Sequence, residues 1–167
     1  MSAESVRVRP ARPDDDAALL ELERTNWDPG TGFPSIRERL LGQTTFFDDR
    51  HPYQNYLVAE LGGAVAGYIH VRRAMDIPEA AHVFGIFGLL VTRQARGQGV
   101  ASALLRAAEE RAKANGGRKL TLGVFATNPT AIRLYERHGY VVEGRHRQTF
   151  LIDGEYVDDF EMAKSLS

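Results

Sequence analysis

Apolar positions along the chain change their spacing several times, and each change marks an element. Val6-Arg7-Val8-Arg9 alternates as a short strand does, and Pro10 and Pro13 close it. Asp14-Asp15-Asp16 offers caps for a helix whose apolar face is Leu19, Leu20 and Leu22. Trp27 to Pro34 reads as a loop. Ser35 and Glu38 have capping-box spacing and open a second short helix through Leu41. Gln43 to Asn55 is another loop, carrying Phe46, Phe47, His51 and Tyr53. Two loops this aromatic either line a pocket or pack over a sheet edge. Tyr56–Glu60 is a strand, Leu61-Gly62-Gly63 a turn, and Ala64–Val71 the hairpin partner. Arg72–Ala81 is a polar connection holding Asp76 and Glu79.

Val83 to Val91 is a nearly continuous apolar run, the pattern of a strand buried on both faces. Thr92 to Gly99 is cationic and glycine-rich, a turn. Val100, Leu104, Ala108 and Ala112 then share one stripe of a helix that Asn115-Gly116-Gly117 stops. Lys119–Phe125 is the next strand, parallel to the first through the crossover helix. A helix from about Thr130 to His138 starts near Pro129 and ends at Gly139. Tyr140–Glu143 is a strand, and Asp153-Gly154 turns a final hairpin whose second arm holds Tyr156, Val157, Phe160 and Met162. The order β-α-α-β-β-β-α-β-α-β-β predicts an α/β fold with a mixed sheet and helices on its faces.

Composition narrows the class. A chain of 167 residues forms one domain, 1–167, with room for a sizeable core. A formal net charge of −1 gives no global field for nucleic acid or an anionic membrane. With no cysteine there is no disulfide, no thiolate metal site and no cysteine nucleophile. No stretch is long and apolar enough to cross a bilayer, and the N-terminus has no signal-like region, so a cytoplasmic protein is expected.

The turn before the second long helix carries the first chemistry. The leading N–H groups of a helix have no intrahelical partner, and its dipole favours an anion in front of them. Gly97 and Gly99 let an anion approach, and Arg93 and Arg96 add charge. The P-loop pattern is absent, because Ala101-Ser102 lacks its lysine. The dinucleotide G-x-G-x-x-G is only partly met: Ser102 stands at its third glycine, and the expected later acid is missing near Gly117. Arg96-Gly97-Gln98-Gly99-Val100-Ala101 fits R-x-x-G-x-A. Downstream, Asn128 to Tyr140 fits N-x-x-A-x-x-x-Y-x-x-x-G-F/Y in full.

Together these two segments resemble the signature of the GNAT superfamily of N-acetyltransferases. The resemblance is specific from about Phe87 to Tyr140 and architectural before Tyr56. It implies acetyl-CoA as cofactor, no metal, and a central pair of parallel strands that splay to admit the coenzyme. It implies that Arg96, Gly97, Gln98, Gly99, Val100 and Ala101 hold the pyrophosphate, and that the strand backbone of Leu89, Leu90 and Val91 pairs with the coenzyme amides. Asn128 either meets the pantetheine arm or only caps its helix. Tyr135 either packs in the core or protonates the departing thiolate.

Many relatives carry a glutamate base on the central strand. Val83–Val91 has no ionisable side chain, and Gly85 and Gly88 stand where an acid would. His82 is the first candidate base, followed by His70, Asp76, Glu79 and His146. The expected activity is acetyl transfer to a primary amine by direct attack; the acceptor is a small molecule or a peptide, and a homodimer stays open. The rivals are a catalytically silent acyl-CoA sensor, which the missing glutamate leaves open, and a nucleotide-binding Rossmann-type protein, which the absent acid near Gly117 argues against.

Overall fold

The computed structural model describes residues 4–167. Seven strands form one sheet: β1 (Arg7–Pro10), β2 (Tyr56–Leu61), β3 (Ala64–Arg73), β4 (Val83–Val91), β5 (Lys119–Phe125), β6 (Val141–Ile152) and β7 (Glu155–Ser165). Their spatial order is β1-β2-β3-β4-β5-β7-β6. Only β4 and β5 pair in parallel; the other neighbours are antiparallel. Four helices complete the fold: α1 (Asp16–Asn26), α2 (Pro34–Gly42), α3 (Val100–Ala114) and α4 (Pro129–Arg137). Among the described residues no helix is long and apolar enough to cross a membrane.

Two cores lie on the two sheet faces. On one, the α3 stripe Val100, Leu104, Ala108 and Ala112 is buried against Ile69, Val71, Phe84, Ile86 and Leu120. Burying such side chains contributes about 1.5–3 kcal/mol each relative to exposure. On the other, Leu19, Leu20 and Leu22 of α1 pack with Phe46, Tyr56, Val58 and Tyr68. Strand residues alternate between the faces. Gly85, Thr121, Gly123 and Phe125 therefore lie on the α1–α2 face, opposite the α3 core.

Some local expectations changed. Ser35 sits inside α2, which starts at Pro34 with Phe33 before it and no side-chain cap, so the Ser35/Glu38 box does not form. Asp15 and Asp16 bond outside α1 rather than capping its first turn; Asp15 accepts the Arg12 N–H at 2.7 Å, closing the single turn Pro13–Asp15 that leads into the helix. Asp15 binds Arg9 through both carboxylate oxygens at 2.8 Å. Asp16 accepts the backbone N–H groups of Phe46 and Phe47 at 3.0 and 2.8 Å, fixing the second aromatic loop over α1. The strand after Tyr140 is much longer than its apolar start predicts. It runs to Ile152 with irregular pairing between Val142 and Gly144 and between His146 and Phe150.

Candidate active site

The site is a fork in the sheet. β4 and β5 pair from Val83↔Lys119 to Ile86↔Leu122 and no further. β5 continues to Phe125 while paired to β7, and β4 continues to Val91 while paired to β3. From Phe87 on, the facing edges of both strands are unpaired. Backbone groups there need an external partner, and an extended ligand with amides can supply one. The expectation that β4 is buried on both faces holds only up to Ile86: Phe87 is 49% exposed.

A bulge sits at the vertex. Val71 pairs with Ile86 but His70 pairs with Gly88, so Phe87 is the extra residue on β4. Its ring lies under the Arg72 guanidinium at 3.8 Å and 5.8 Å from the His70 ring. A Cβ on Gly85 would fall 2.7 Å from that ring, so the Phe87 ring fills the space a side chain at 85 would need.

At the end of β4 the chain makes a short turn at Arg93–Ala95 and enters α3 through Gly97 and Gly99. Both glycines are left-handed, with φ of +77° and +82°, and a Cβ on either would meet nothing within 4 Å. Their backbone angles, not crowding, require glycine. The first intrahelical bond runs from Ala103 N–H to Gly99 C=O, leaving the amides of Val100, Ala101 and Ser102 without helical acceptors. This arrangement fits a pyrophosphate. The arginines beside it are already engaged: Asp28 binds Arg93 at 2.8 Å and Arg96 at 2.7 Å, and together they hold its carboxyl below the usual carboxylate range. Arg93 also donates to the carbonyls of Thr25 and Trp27, both at 3.0 Å.

The same α1–α2 loop reaches the other prong. Phe33 packs edge-on against Phe125 at 5.1 Å and Phe150 at 4.8 Å. The loop thus links the turn after β4 to the end of β5 and to β6. The Phe46, Phe47 and Tyr53 loop instead packs on Tyr56, so of the two aromatic loops it takes the core role.

Tyr135 of α4 is buried against Tyr140, with ring centroids 5.9 Å apart, and burial pushes its phenol up to about 12. Asn128 caps α4: its side-chain oxygen accepts Ala131 N–H at 3.3 Å. His138 Nε2 lies 2.9 Å from Ser102 Oγ, joining the end of α4 to the first turn of α3.

The structure does not bring His82 to the fork. Its side chain is exposed just ahead of β4, while its carbonyl accepts the amides of Arg118 and Lys119. At ~3.3 Å per residue, about 13 Å of strand separates it from Ile86. Asp76 and Glu79 lie in the exposed connection ahead of it. His70 is close to the fork but buried. Its ring stacks on Tyr56 at 4.3 Å, and its Nε2 has no partner among the described residues. Burial first, then the neighbouring Arg72 and His51, lower its pKa to about 4.

A cleft of about 240 Å³ opens at the vertex, lined by Gly85, Phe87 and Gly123 and, from the last two strands, His146, Asp159 and Glu161. On the α1 side, the Tyr68 hydroxyl donates to Glu23, whose carboxyl is raised by burial. Asp28, Phe33, Glu23 and Asp159 went unseen in the sequence. The one available sign was polar or aromatic residues gathered outside the motif.

Residues 17–140 match the acetyltransferase (GNAT) family. The chain belongs to the GNAT family. It is 36% identical over 110 residues to the L-amino acid N-acetyltransferase AaaT of Escherichia coli (strain K12), a match covering 65% of this chain and 66% of that one. N-acetyltransferase 8 of Mus musculus is 34% identical over 89 residues, covering 53% of this chain and 39% of the mouse protein. The matched region thus spans less than two thirds of either relative. Among solved structures, a GNAT acetyltransferase of Streptococcus pneumoniae superposes with TM-score 0.77 at 26% identity, over 98% of this chain and 100% of that one. yncA from Salmonella typhimurium, solved with its cofactor acetyl-CoA, shares the fold with TM-score 0.78 at 20% identity over 98% and 95% of the chains. The fork, the turn into α3 and the α4 helix are thus parts of a GNAT fold.

Proposed function

We propose that the protein transfers an acetyl group from acetyl-CoA to a primary amine by direct attack, with no covalent acyl-enzyme. The observation that carries this reading is the fork after Ile86 and Leu122, on the same strand that feeds the open start of α3. Coenzyme amides would pair with the β4 backbone at Leu89, Leu90 and Val91. The loop Arg96–Ala101 would hold the pyrophosphate, with Gly97, Gln98 and Gly99 shaping it and the Val100 and Ala101 amides facing the anion. Asn128, at the start of α4, would border the pantetheine arm with its amide nitrogen while its oxygen caps the helix.

Acetyl-CoA supplies an activated thioester carbonyl. A free strand amide near Val91 would stabilise charge on the carbonyl oxygen. Tyr135, kept protonated by burial, would give its proton to the leaving sulfur. With no cysteine in the chain, no acyl-cysteine can form. The name of the Escherichia coli relative supports amino-acid-like amines as the first acceptors to screen, ahead of polyamines, antibiotics and protein N-termini.

The test is thiol release from acetyl-CoA across an amine panel. Release with at least one amine is expected. A second reading, a silent acyl-CoA sensor, draws on the absence of any ionisable side chain from Val83 to Val91. Acetyl-CoA binding with no release for any amine would establish it instead.

A further inference from the structure

The β4 strand offers no base, but the opposite side of the fork does. Asp158 and Asp159 are neighbours on β7 with separate fates. Asp158 is tied to Arg145 Nε at 2.8 Å and to the Gln148 amide at 2.8 Å. Asp159 makes no side-chain hydrogen bond or ion pair among the described residues; only burial, His146 and Glu161 act on it. Its carboxylate leans over β5. A Cβ built on Gly123 would lie 3.4 Å from Asp159 Oδ2 and 3.9 Å from Oδ1. A free carboxylate from β7 therefore occupies the space above a glycine of β5, in the cleft at the vertex.

We propose that Asp159 is the general base, taking the first proton from the acceptor's ammonium group at the vertex of the fork. This rests on the acetyl-transfer reading and names the group that reading lacks. The other nearby groups are committed elsewhere: Glu23 to the Tyr68 hydroxyl, and His146 to Glu161 at 3.6 Å. β4 and β5 contribute no titratable side chain to the cleft, so His146 of β6 and Glu161 of β7 are the charged groups facing Asp159. Burial raises its pKa, His146 opposes the rise, and Glu161 adds to it.

The step conserves atoms and charge. Asp159 takes one proton from R–NH3+, and the nitrogen lone pair forms the C–N bond at the thioester carbonyl. The C–S bond breaks, and the sulfur leaves with its electron pair and takes the Tyr135 proton. The nitrogen's second proton restores Tyr135 through solvent, and Asp159 releases its own to bulk water. Ammonium and thioester become amide, thiol and one proton.

The experiment compares wild type with Asp159→Asn on two amines of different basicity. Asp159→Asn should lower kcat by about a hundredfold or more. Acetyl-CoA affinity and melting temperature should hold. The loss should shrink for the less basic amine, whose ammonium gives up its proton more readily. Asp159→Ala combined with Gly123→Glu, which returns a carboxylate from β5, should recover part of the rate.

In wild type the acid limb of the pH–rate profile should stay in place when the amine is changed, because it belongs to the protein. A limb that moves with the amine overturns the proposal even if no variant folds. So does an Asp159→Asn enzyme with wild-type kcat and profile. Wild type that binds acetyl-CoA and releases no thiol overturns the acetyl-transfer reading itself, and the role of Asp159 with it.

Discussion

The carboxylate of Asp28 lies 2.7 Å from the guanidinium of Arg96, although 68 residues separate them in the chain. Arg96 opens the phosphate-loop motif, so Asp28 already occupies part of the positive charge that a pyrophosphate would use. Asp28→Asn should tighten acetyl-CoA binding by a few-fold, in keeping with the ~0.2–1 kcal/mol typical of exposed ion pairs. The gain should fade at high salt. Calorimetry at two ionic strengths checks it; weaker binding in the variant would mean that Asp28 holds the loop in its binding shape.

Gly99→Val should abolish or strongly weaken acetyl-CoA binding in a folded protein. Gly99 has φ +82°, and a side chain there would meet nothing within 4 Å of its Cβ. The cost is therefore backbone strain, on the order of 1–2 kcal/mol for a side chain in that region. A loop that relaxes to escape this strain loses the left-handed turn presenting the α3 amides. An unchanged dissociation constant would remove the loop from the binding site.

Tyr135→Phe should keep acetyl-CoA affinity and lose turnover, by about a hundred- to ten-thousand-fold if the hydroxyl acts as general acid. Burial pushes the phenol up to about 12, so its proton is present throughout the neutral range. The alkaline limb of the rate profile should accordingly be absent from that range. Wild-type turnover in the variant would leave Tyr135 as packing for Tyr140.

Buried His70 should make the fold acid-sensitive. Its folded pKa of about 4 lies below the ordinary 6.5, so the unfolded chain binds more protons between those values. Stability should therefore fall as pH drops from about 6.5 toward about 4. Thermal melts at pH 7 and pH 5 should differ by several degrees in wild type. The difference should narrow in His70→Asn, which has no titrating ring. Equal shifts in both proteins would assign the acid sensitivity to another group, such as His138, whose imidazole burial also holds below its ordinary value.

The fold was legible wherever neighbouring residues decide structure. The Val100, Leu104, Ala108, Ala112 stripe reads directly as a buried helix face, and the left-handed Gly97 and Gly99 read as a turn. The R-x-x-G-x-A and N-x-x-A-x-x-x-Y segments marked the prongs of the fork because both are local strings. What stayed hidden rests on contacts between distant segments. Phe33 looked like one more loop aromatic until the fold set it on Phe125 and Phe150. Asp159 looked the same as Asp158 until β7 pairing sent one toward Arg145 and left the other over Gly123. His82 stood out because imidazole titrates near neutrality, yet strand direction carried it to the wrong end. The acids at Asp14–Asp16 read as caps because sequence does not show that Arg9 and the Phe46 amide will arrive beside them.

A sheet that divides in its interior has two extra edges. From Phe87 and Gly123 onward, rows of unmatched donors and acceptors face each other, the feature that makes exposed strands stick to other chains. The α1–α2 loop, anchored at Asp28 on one side and Phe33 on the other, then serves as a guard as much as a wall. Without coenzyme, the protein should depend on that loop to keep those edges from other chains. Cutting either anchor should send it toward self-association on storage, and saturating acetyl-CoA should hold it in solution.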